Sequence, residues 1–282
     1  MAITMTAAAR PVSGLSPLVR LSLARTAVEL KHFRRVPEQV FFTFLLPVLF
    51  LVIFSAVFSE NLSPVPGREV DFTQYFLPGI IASGVASATF ASLAISISID
   101  RQEGLLKRLA GTPLPKGAYI MGKLGMSVVV TVVQTAFMLG LAVLAFGAEF
   151  PDGPARWAVF LLVLAVSAAV GAALGIAYTR AIRNAQSAVA IVQPPFLILQ
   201  FISGVFFRYT DLPGWLTAIA SVFPLRWMAQ GLRYAFLPDW FGEYEYGGSW
   251  GWQAPVLALV GWLVLSVALA LVFFRWERES DN

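Results

Sequence analysis

Long apolar segments alternate with short polar ones along most of the chain. Six segments consist almost wholly of apolar residues, at 38–58, 74–99, 118–146, 157–178, 185–207 and 254–274. An α-helix rises about 1.5 Å per residue, so about 20 residues cross the apolar core of a bilayer. The pattern therefore predicts an all-α polytopic membrane protein in which six transmembrane helices, within a domain at 37–282, follow a flexible N-terminus at 1–16.

The charged residues between these segments are unevenly divided between the two sides. If both ends of the chain are placed in the cytoplasm, 15 of the 20 Lys and Arg residues lie on the cytoplasmic side. This positive-inside bias predicts a multi-pass protein with cytoplasmic termini. The basic residues gather beside helix ends, where anionic lipid headgroups account for them. We therefore expect membrane lipids, and not nucleic acid, as their partner.

The segment 17–36 separates the N-terminus from the first apolar run. Apolar residues such as Leu18, Leu21 and Val28 recur at near-helical spacing, and basic residues fill the positions between them. Such a helix suits the headgroup plane of a membrane. Pro37 marks its boundary, because the residue before a proline is pushed out of the helical region. The segment is predicted to be a cytoplasmic interfacial helix, and a contact with a cytoplasmic partner remains open.

A second short helix is predicted in the loop 100–116. Asp100 and Glu103 precede Lys107 and Arg108, which is the order that a helix dipole favours, and Glu103 and Lys107 are spaced i, i+4. An apolar ridge runs along the same piece, formed by Leu105, Leu106 and Leu109. A short helix with exposed leucines suits a groove on another protein. The alternative is a solvated loop whose leucines dip into lipid.

The segment 208–253 is apolar enough for a seventh span, yet it carries Arg226 and Arg233. Each arginine inside a bilayer costs about 2.5–3.5 kcal/mol, which disfavours a crossing. We interpret the segment as two half-helices, 215–223 and 225–236, which dip in from the outer side as a re-entrant hairpin hinged at Pro224. Broken backbone at that depth must be covered by protein or a wet cavity, so the hairpin is predicted to cover an outer opening.

Ionisable side chains are nearly absent from the middle of the six apolar runs. Proton- or sodium-coupled transport generally uses such groups, so ion coupling is not expected. His32 is the single histidine and lies outside the spans, which excludes a membrane Ser–His pair and a two-histidine zinc site. No catalytic or metal-binding residue is therefore expected. The remaining neutral polar groups are candidates for helix contacts or for a mildly polar translocation path: Thr131, Gln134, Gln193 and Gln200.

Two short patterns resemble known motifs. Residues 117–123 have the glycine and lysine spacing of a phosphate-binding loop, but Leu124 stands where Ser or Thr would hold Mg²⁺. We interpret the match as a coincidence and Lys123 as a headgroup anchor. Gly171 and Gly175 form a small-xxx-small pattern, which allows close helix approach either within one subunit or between two.

Five stretches occur together in a characteristic order on this topology. They read YFLPG at 75–79, DRQEGLLKRLAGTP at 100–113, SGVFF at 203–207, LPGWL at 212–216 and FPLRWMAQGLR at 223–233. With these stretches the chain resembles the membrane subunits of ABC-2 type exporters over nearly its whole length. Its short outer segments look closest to the multidrug and antibiotic-resistance branch.

The resemblance implies a homodimer or heterodimer of six-helix subunits in a bacterial inner membrane, each bound to one cytoplasmic P-loop ATPase subunit. It makes 17–36 the connecting helix and 212–237 the re-entrant helices. The residues implied in coupling to the ATPase are Arg101, Glu103, Gly104, Leu105, Leu106, Lys107 and Arg108. Those implied in the extracellular gate are Pro213, Trp215, Pro224, Arg226, Gln230 and Arg233.

The favoured hypothesis is a permease subunit that exports a hydrophobic small molecule or a lipid. Such a subunit is not itself an enzyme and holds no cofactor, because ATP and Mg²⁺ bind to the partner ATPase. The alternative is a membrane anchor that holds cytoplasmic partners without moving a substrate. A membrane enzyme acting on lipids comes third, because the chain offers no plausible catalytic set.

Overall fold

The computed structural model describes residues 16–58, 70–245 and 248–274, and every regular element in these ranges is helical. Nearly all of the predicted flexible N-terminus, 1–16, lies outside the described residues. We number the helices in chain order: α1 Pro17–Arg35, α2 Pro37–Val57, α3 Phe72–Gln102, α4 Leu105–Ala110, α5 Lys116–Phe146, α6 Gly153–Tyr178, α7 Ala185–Ile202, α8 Gly214–Val222, α9 Pro224–Phe236 and α10 Gln253–Phe273.

Six of these helices are long and apolar enough to cross a membrane: α2, α3, α5, α6, α7 and α10. The six predicted spans are therefore confirmed, most of them within a few residues. The largest difference is at α7, which was predicted to run to 207 and ends at Ile202. Gly204 accounts for it, because its φ of +75° is a left-handed conformation that stops a helix and favours glycine.

Helix α1 packs lengthwise on the first half of α5. Gly122 and Gly125 of α5 face Arg25 and Thr26 of α1, and a Cβ atom at either glycine would collide with those side chains. Farther along the contact, Phe33 packs in an apolar cluster formed with Ala88, Met126 and Val130. The absence of side chains at the two glycines therefore sets how closely α1 approaches the bundle.

Helix α3 contains one wide turn, a π-helical segment at Ser87–Ala91. Gly171 and Gly175 of α6 pack directly against this turn. A Cβ atom at Gly175 would lie 2.7 Å from the backbone oxygen of Phe90, and Thr89 occupies the space beside Gly171. Of the two possibilities for this glycine pair, the structure shows close packing within one subunit.

Helices α8 and α9 coincide, to within one residue, with the two helical segments predicted at 215–223 and 225–236. Phe223 separates them in an extended conformation, with φ of −96° and ψ of 147°, and Pro224 begins α9. Proline suits this first position because the backbone N–H that it lacks would have no partner there. The predicted break at Pro224 is thus present.

The bundle has two ends, which we name after a helix that lies at each. At one end, the Gln74 side chain of α3 donates to the backbone oxygens of Glu149 and Phe236. Glu149 lies just after α5, and Phe236 is the last residue of α9. We call this the α9 end. At the opposite end α3 finishes at Gln102, α5 begins, and α4 lies between them. We call this the α4 end.

Candidate functional site

At the α4 end, a glycine separates α3 from α4. Gly104 has φ of +72°, so the chain turns sharply between Gln102 and Leu105. The prediction of one helix that starts at Asp100 is therefore wrong. Glu103 and Lys107 do not lie on the same helix, so they do not form the predicted i, i+4 pair. Asp100 instead lies in the last turn of the 31-residue helix α3, where the helix dipole disfavours a negative charge.

The side chains of α4 divide into an inner and an outer set. Leu106 is buried within the chain, whereas Leu105 and Leu109 are partly buried, so the predicted ridge of exposed leucines is wrong at Leu106. Lys107 and Arg108 are exposed. The outer surface of α4 is consequently basic, while its central leucine fixes it to the rest of the bundle.

Lys123 compensates the unfavourably placed Asp100. Its Nζ lies 2.8 Å from Oδ2 of Asp100 and 2.9 Å from Oε2 of Glu29, and the lysine is only 3% exposed. The Tyr119 hydroxyl donates to the same Asp100 oxygen at 2.7 Å, and Arg25 pairs with Glu29 at 2.5 Å. We call Arg25, Glu29, Asp100, Tyr119 and Lys123 the charge clamp.

The charge clamp corrects the interpretation of Lys123 as a headgroup anchor. The lysine points into the protein because α1 lies across it and supplies Glu29. The clamp contains two basic and two acidic groups, so its formal charges balance, which a buried ionic cluster requires. The glycine and lysine at 122–123 that resemble a phosphate-binding loop have structural roles instead. Gly122 lets α1 approach α5 closely, and Lys123 forms ion pairs with two carboxylates.

At the α9 end, three of the residues implied in the gate lie on one buried face of α9. Arg226, Gln230 and Arg233 follow at i, i+4 and i+7. Arg226 donates to the Gln230 side-chain oxygen, and its guanidinium lies 4.2 Å from the Trp227 ring centre and 4.5 Å from that of Tyr209. Cation–π contacts with the two rings stabilise the buried guanidinium of this arginine.

Arg233 is held by groups from three other parts of the chain. It donates to the backbone oxygen of Gly204, lies 3.6 Å from Glu245 and stacks 4.4 Å from the ring centre of Tyr75. Tyr75, Tyr209 and Glu245 were not predicted from the sequence to contact these arginines. A usable signal existed for Glu245, because a buried arginine needs a nearby carboxylate and the segment after α9 offers few.

The other implied gate residues are placed differently. Pro224 is buried at the start of α9. Pro213 and Trp215 lie at the start of α8 and are exposed, Trp215 to 67%. The structure therefore brings together the residues of α9 and leaves those of α8 on the surface.

The four residues predicted for a polar path do not form one cluster. Gln134 donates to the backbone oxygen of Thr43 at 2.8 Å, and Gln200 accepts from Ser83 at 2.5 Å. Thr131 is buried and its hydroxyl has no hydrogen-bond partner among the described residues. Gln193 lies on an exposed face of α7. Three of the four thus lie inside the bundle, where two make interhelical hydrogen bonds, and one faces outward.

Comparison with known protein families identifies the chain. Residues 22–237 match the family described as ABC-2 type transporter. This match covers α2 to α9 completely and most of α1, so it includes both polar ends of the bundle. The chain belongs to the ABC-2 type transporter family. With six helices of membrane-spanning length, it is a multi-pass membrane component of an ABC transporter.

Several permeases are similar to this ABC-2 type chain. The daunorubicin resistance ABC transporter permease protein DrrB1 of Streptomyces coeruleorubidus is 26% identical, across 99% of this chain and 93% of the relative. The probable doxorubicin resistance ABC transporter permease protein DrrC of Mycobacterium tuberculosis is 26% identical, across 92% and 88%. The inner membrane transport permease YadH of Escherichia coli is 24% identical, across 75% and 80%.

Within this ABC-2 type fold, the two polar ends differ in chemistry. The α4 end combines an exposed basic helix with a buried, charge-balanced clamp. The α9 end encloses two arginines among aromatic rings and one carboxylate. The α4 end thus presents exposed charges, whereas the α9 end keeps its arginines buried.

Proposed function

We propose that the chain exports a hydrophobic small molecule or a lipid across a bacterial inner membrane, driven by a separate ATPase subunit. The ATPase would bind ATP and Mg²⁺. The observation that carries this proposal is the exposed helix α4, which extends from a membrane-spanning helix through a single glycine turn. Resistance to drugs named in two relatives supports a hydrophobic cargo.

The ATPase docks on α4 from the cytoplasm. The α4 end carries most of the basic residues, which supports a cytoplasmic position for this end and for both termini. Glu103, Lys107 and Arg108 are exposed there and offer charges of both signs to a partner. Helix α1 lies along this side as the interfacial helix, with Arg20, Arg34 and Arg35 exposed toward headgroups.

Helices α8 and α9 form a re-entrant lid at the outer end. The buried face of α9 carries Arg226, Gln230 and Arg233, whose contacts keep the charges away from lipid. Pro213 and Trp215 lie exposed at the start of α8, and an exposed indole suits the outer membrane interface. This arrangement supports a lid that is covered from inside by the bundle and meets the headgroups outside.

A second permease subunit covers the exposed face of α7. Gln193 is exposed on that face next to Pro194 and Pro195, which lack backbone N–H groups and leave the carbonyl oxygens of Ala190 and Ile191 without their helical donors. The Tyr178 hydroxyl donates to the Ile191 oxygen at 3.5 Å. If this face met lipid tails, the Gln193 amide would have no hydrogen-bond partner, which costs on the order of several kcal/mol for a polar group in hydrocarbon. The translocation path therefore runs between two subunits, along Gln193, in a homodimer or a heterodimer.

The coupling role is tested with Glu103→Ala in a complex reconstituted with its ATPase. Daunorubicin serves as the fluorescent probe, and its ATP-driven uptake into inside-out vesicles is measured. We expect normal membrane levels of the variant. Its affinity for the ATPase should fall about tenfold, because a charge pair at the interface that contributes about 1.4 kcal/mol to the binding free energy is lost. Glu243→Ala is the matched control, since Glu243 is also exposed but lies at the α9 end.

Two results would overturn the proposal. Unchanged ATPase binding and export in Glu103→Ala, at normal expression, would remove α4 as the coupling element. Purification of the native complex without an ATPase would replace the exporter by the membrane anchor, the alternative that also has a docking helix.

A further inference from the structure

The last turn of α3 is bonded to three other helices through three consecutive residues. Asp100 accepts from Tyr119 and pairs with Lys123, both of α5. Arg101 donates to the backbone oxygen and the hydroxyl of Thr179, at 3.2 and 3.1 Å, just beyond the end of α6.

Gln102 supplies the third connection. Its amide nitrogen donates to the Gln186 side chain at 3.0 Å, and its oxygen accepts from the backbone N–H of Ala185. Both partners lie in the first turn of α7. Residues 100–102, which we call the α3 terminal turn, thus connect separately to α5, α6 and α7.

Lys123 extends the connection from α5 to a fourth helix. Its ammonium group bridges Asp100 of α3 and Glu29 of α1, and all three side chains are shielded from solvent, at 4%, 16% and 5% exposure. An ionic contact in such a poorly hydrated place resists separation, because separated charges would be left without water or a partner. Helices α1, α3 and α5 are therefore held together at this point.

We infer that the α3 terminal turn distributes movement of α4 to four helices, and that Lys123 is the positioning residue that makes α1 and α5 follow α3. This inference rests on the proposed function, in which the ATPase moves α4. Only Glu103 and Gly104 lie between α4 and the terminal turn, whereas residues 111–115 separate α4 from α5, so the terminal turn has the shorter covalent connection to α4. From there each of the three side chains passes it to a different helix.

The Gln102 connection reaches the helix that lines the proposed path. Helix α7 carries Gln193, two turns after the contact with Gln186. A shift of α4 passed through Gln102 would therefore move the wall of the path directly, while the charge clamp moves α1 and α5 on the other side of α3. The arrangement explains why a short helix could open or close a path between two subunits.

The test compares Lys123→Met with the charge-balanced double variant Asp100→Asn/Lys123→Met in the reconstituted ATPase complex. The readouts are membrane level, ATPase binding, ATP hydrolysis, and daunorubicin uptake into inside-out vesicles per ATP hydrolysed. We expect the double variant to insert and bind the ATPase normally, since no unpaired charge remains. Uptake per ATP should fall about fivefold or more, which is the lower range of coupling between distant sites.

Two further variants separate positioning from folding. Lys123→Arg keeps the charge and should recover most of the uptake per ATP, whereas Lys31→Met, the same change at an exposed position of α1, should have no effect. If the clamp variants do not reach the membrane, Gln102→Ala tests the same idea. Gln102 and Gln186 are both exposed, so this variant should fold normally and still lower uptake per ATP at least about twofold.

The outcomes are distinguishable from failure of the proposed function. If the wild-type complex shows no ATP-driven uptake of the probe, the proposed function fails first. If the wild type transports and the double variant or Gln102→Ala keeps normal uptake per ATP, the clamp and the terminal turn only stabilise the fold, and the inference is wrong.

Discussion

The hydrogen bond between Gln134 and Thr43 leads to a quantitative prediction. Pro47 lies inside α2 and has no backbone N–H to donate to the carbonyl four residues earlier, which is that of Thr43. The Gln134 side chain of α5 donates to this carbonyl oxygen at 2.8 Å. A glutamine from one helix thus replaces the bond that a proline removes from another.

The magnitude follows from leaving one carbonyl without a donor. Gln134→Leu preserves the approximate size of the side chain and removes the N–H. Interhelical hydrogen bonds in membranes contribute about 0.6 kcal/mol on average and about 1.7 kcal/mol at most. Because Gln134 is buried, we place the loss of stability near the upper value, at about 1–2 kcal/mol. In a Pro47→Ala background the helix supplies its own donor, so the same substitution should cost almost nothing.

The assay is a double-mutant cycle over Pro47→Ala, Gln134→Leu and the combined variant. Reversible unfolding in mixed micelles is titrated with dodecyl sulfate and followed by circular dichroism, and the interaction energy between the two sites is read from the four free energies of unfolding. We expect a coupling of about 1–2 kcal/mol. Additive effects within about 0.3 kcal/mol would refute the proline-replacement role.

The same four proteins test whether Gln134 also belongs to a translocation path. If its role is the Thr43 carbonyl alone, daunorubicin uptake by the combined variant equals that of Pro47→Ala. If Gln134 contacts the cargo, uptake falls in both backgrounds while the stability cycle stays coupled. The two measurements therefore separate a structural glutamine from a transport glutamine.

Two further substitutions test packing and charge burial. Gly175→Ala forces a methyl group against the Phe90 backbone, which cannot rotate away, and should destabilise the protein by about 1–3 kcal/mol. Gly261→Ala is the control, because open space surrounds this glycine, and it should be neutral or slightly stabilising in the same titration. Equal effects of the two changes would contradict the close packing on α3. Glu245→Gln should lower stability by about 3 kcal/mol, because it removes the carboxylate paired with buried Arg233. A loss below about 1 kcal/mol would mean that the other contacts of Arg233 suffice.

The spans were predictable because their signal is collective. Each contains many apolar residues, and the bilayer thickness fixes how many are needed, so no single residue decides the outcome. Errors arose where one residue does decide. Gly104 ends the helical course of α3 before α4, and Gly204 follows the end of α7. A glycine that adopts a left-handed conformation cannot be told from one inside a helix by apolar periodicity alone.

The break between α8 and α9 shows the opposite case. A proline allows fewer conformations than a glycine, so Pro224 located the break between the two helices to within one residue. The partners of the arginines beyond it were less accessible to sequence reasoning. Tyr75 lies 158 positions before Arg233 in the sequence and Glu245 lies 12 positions after it, and only the packing of α9 against α3 brings Tyr75 to the arginine.

Lys123 explains most sharply why the α4 end could not be predicted. A lysine near the first turns of a membrane helix is ordinarily drawn toward headgroups, which is a sound expectation when only lipid surrounds it. Here Gly122 and Gly125 let α1 lie against α5, and α1 carries Glu29 on the contacting face. Once Glu29 is buried beside the lysine and Asp100 lies next to it from α3, turning the lysine outward would leave Asp100 without a counter-charge and Glu29 with Arg25 alone. The inward orientation is thus a property of three helices together, and the sequence signal for it is the pair of glycines that flank Lys123 on α5.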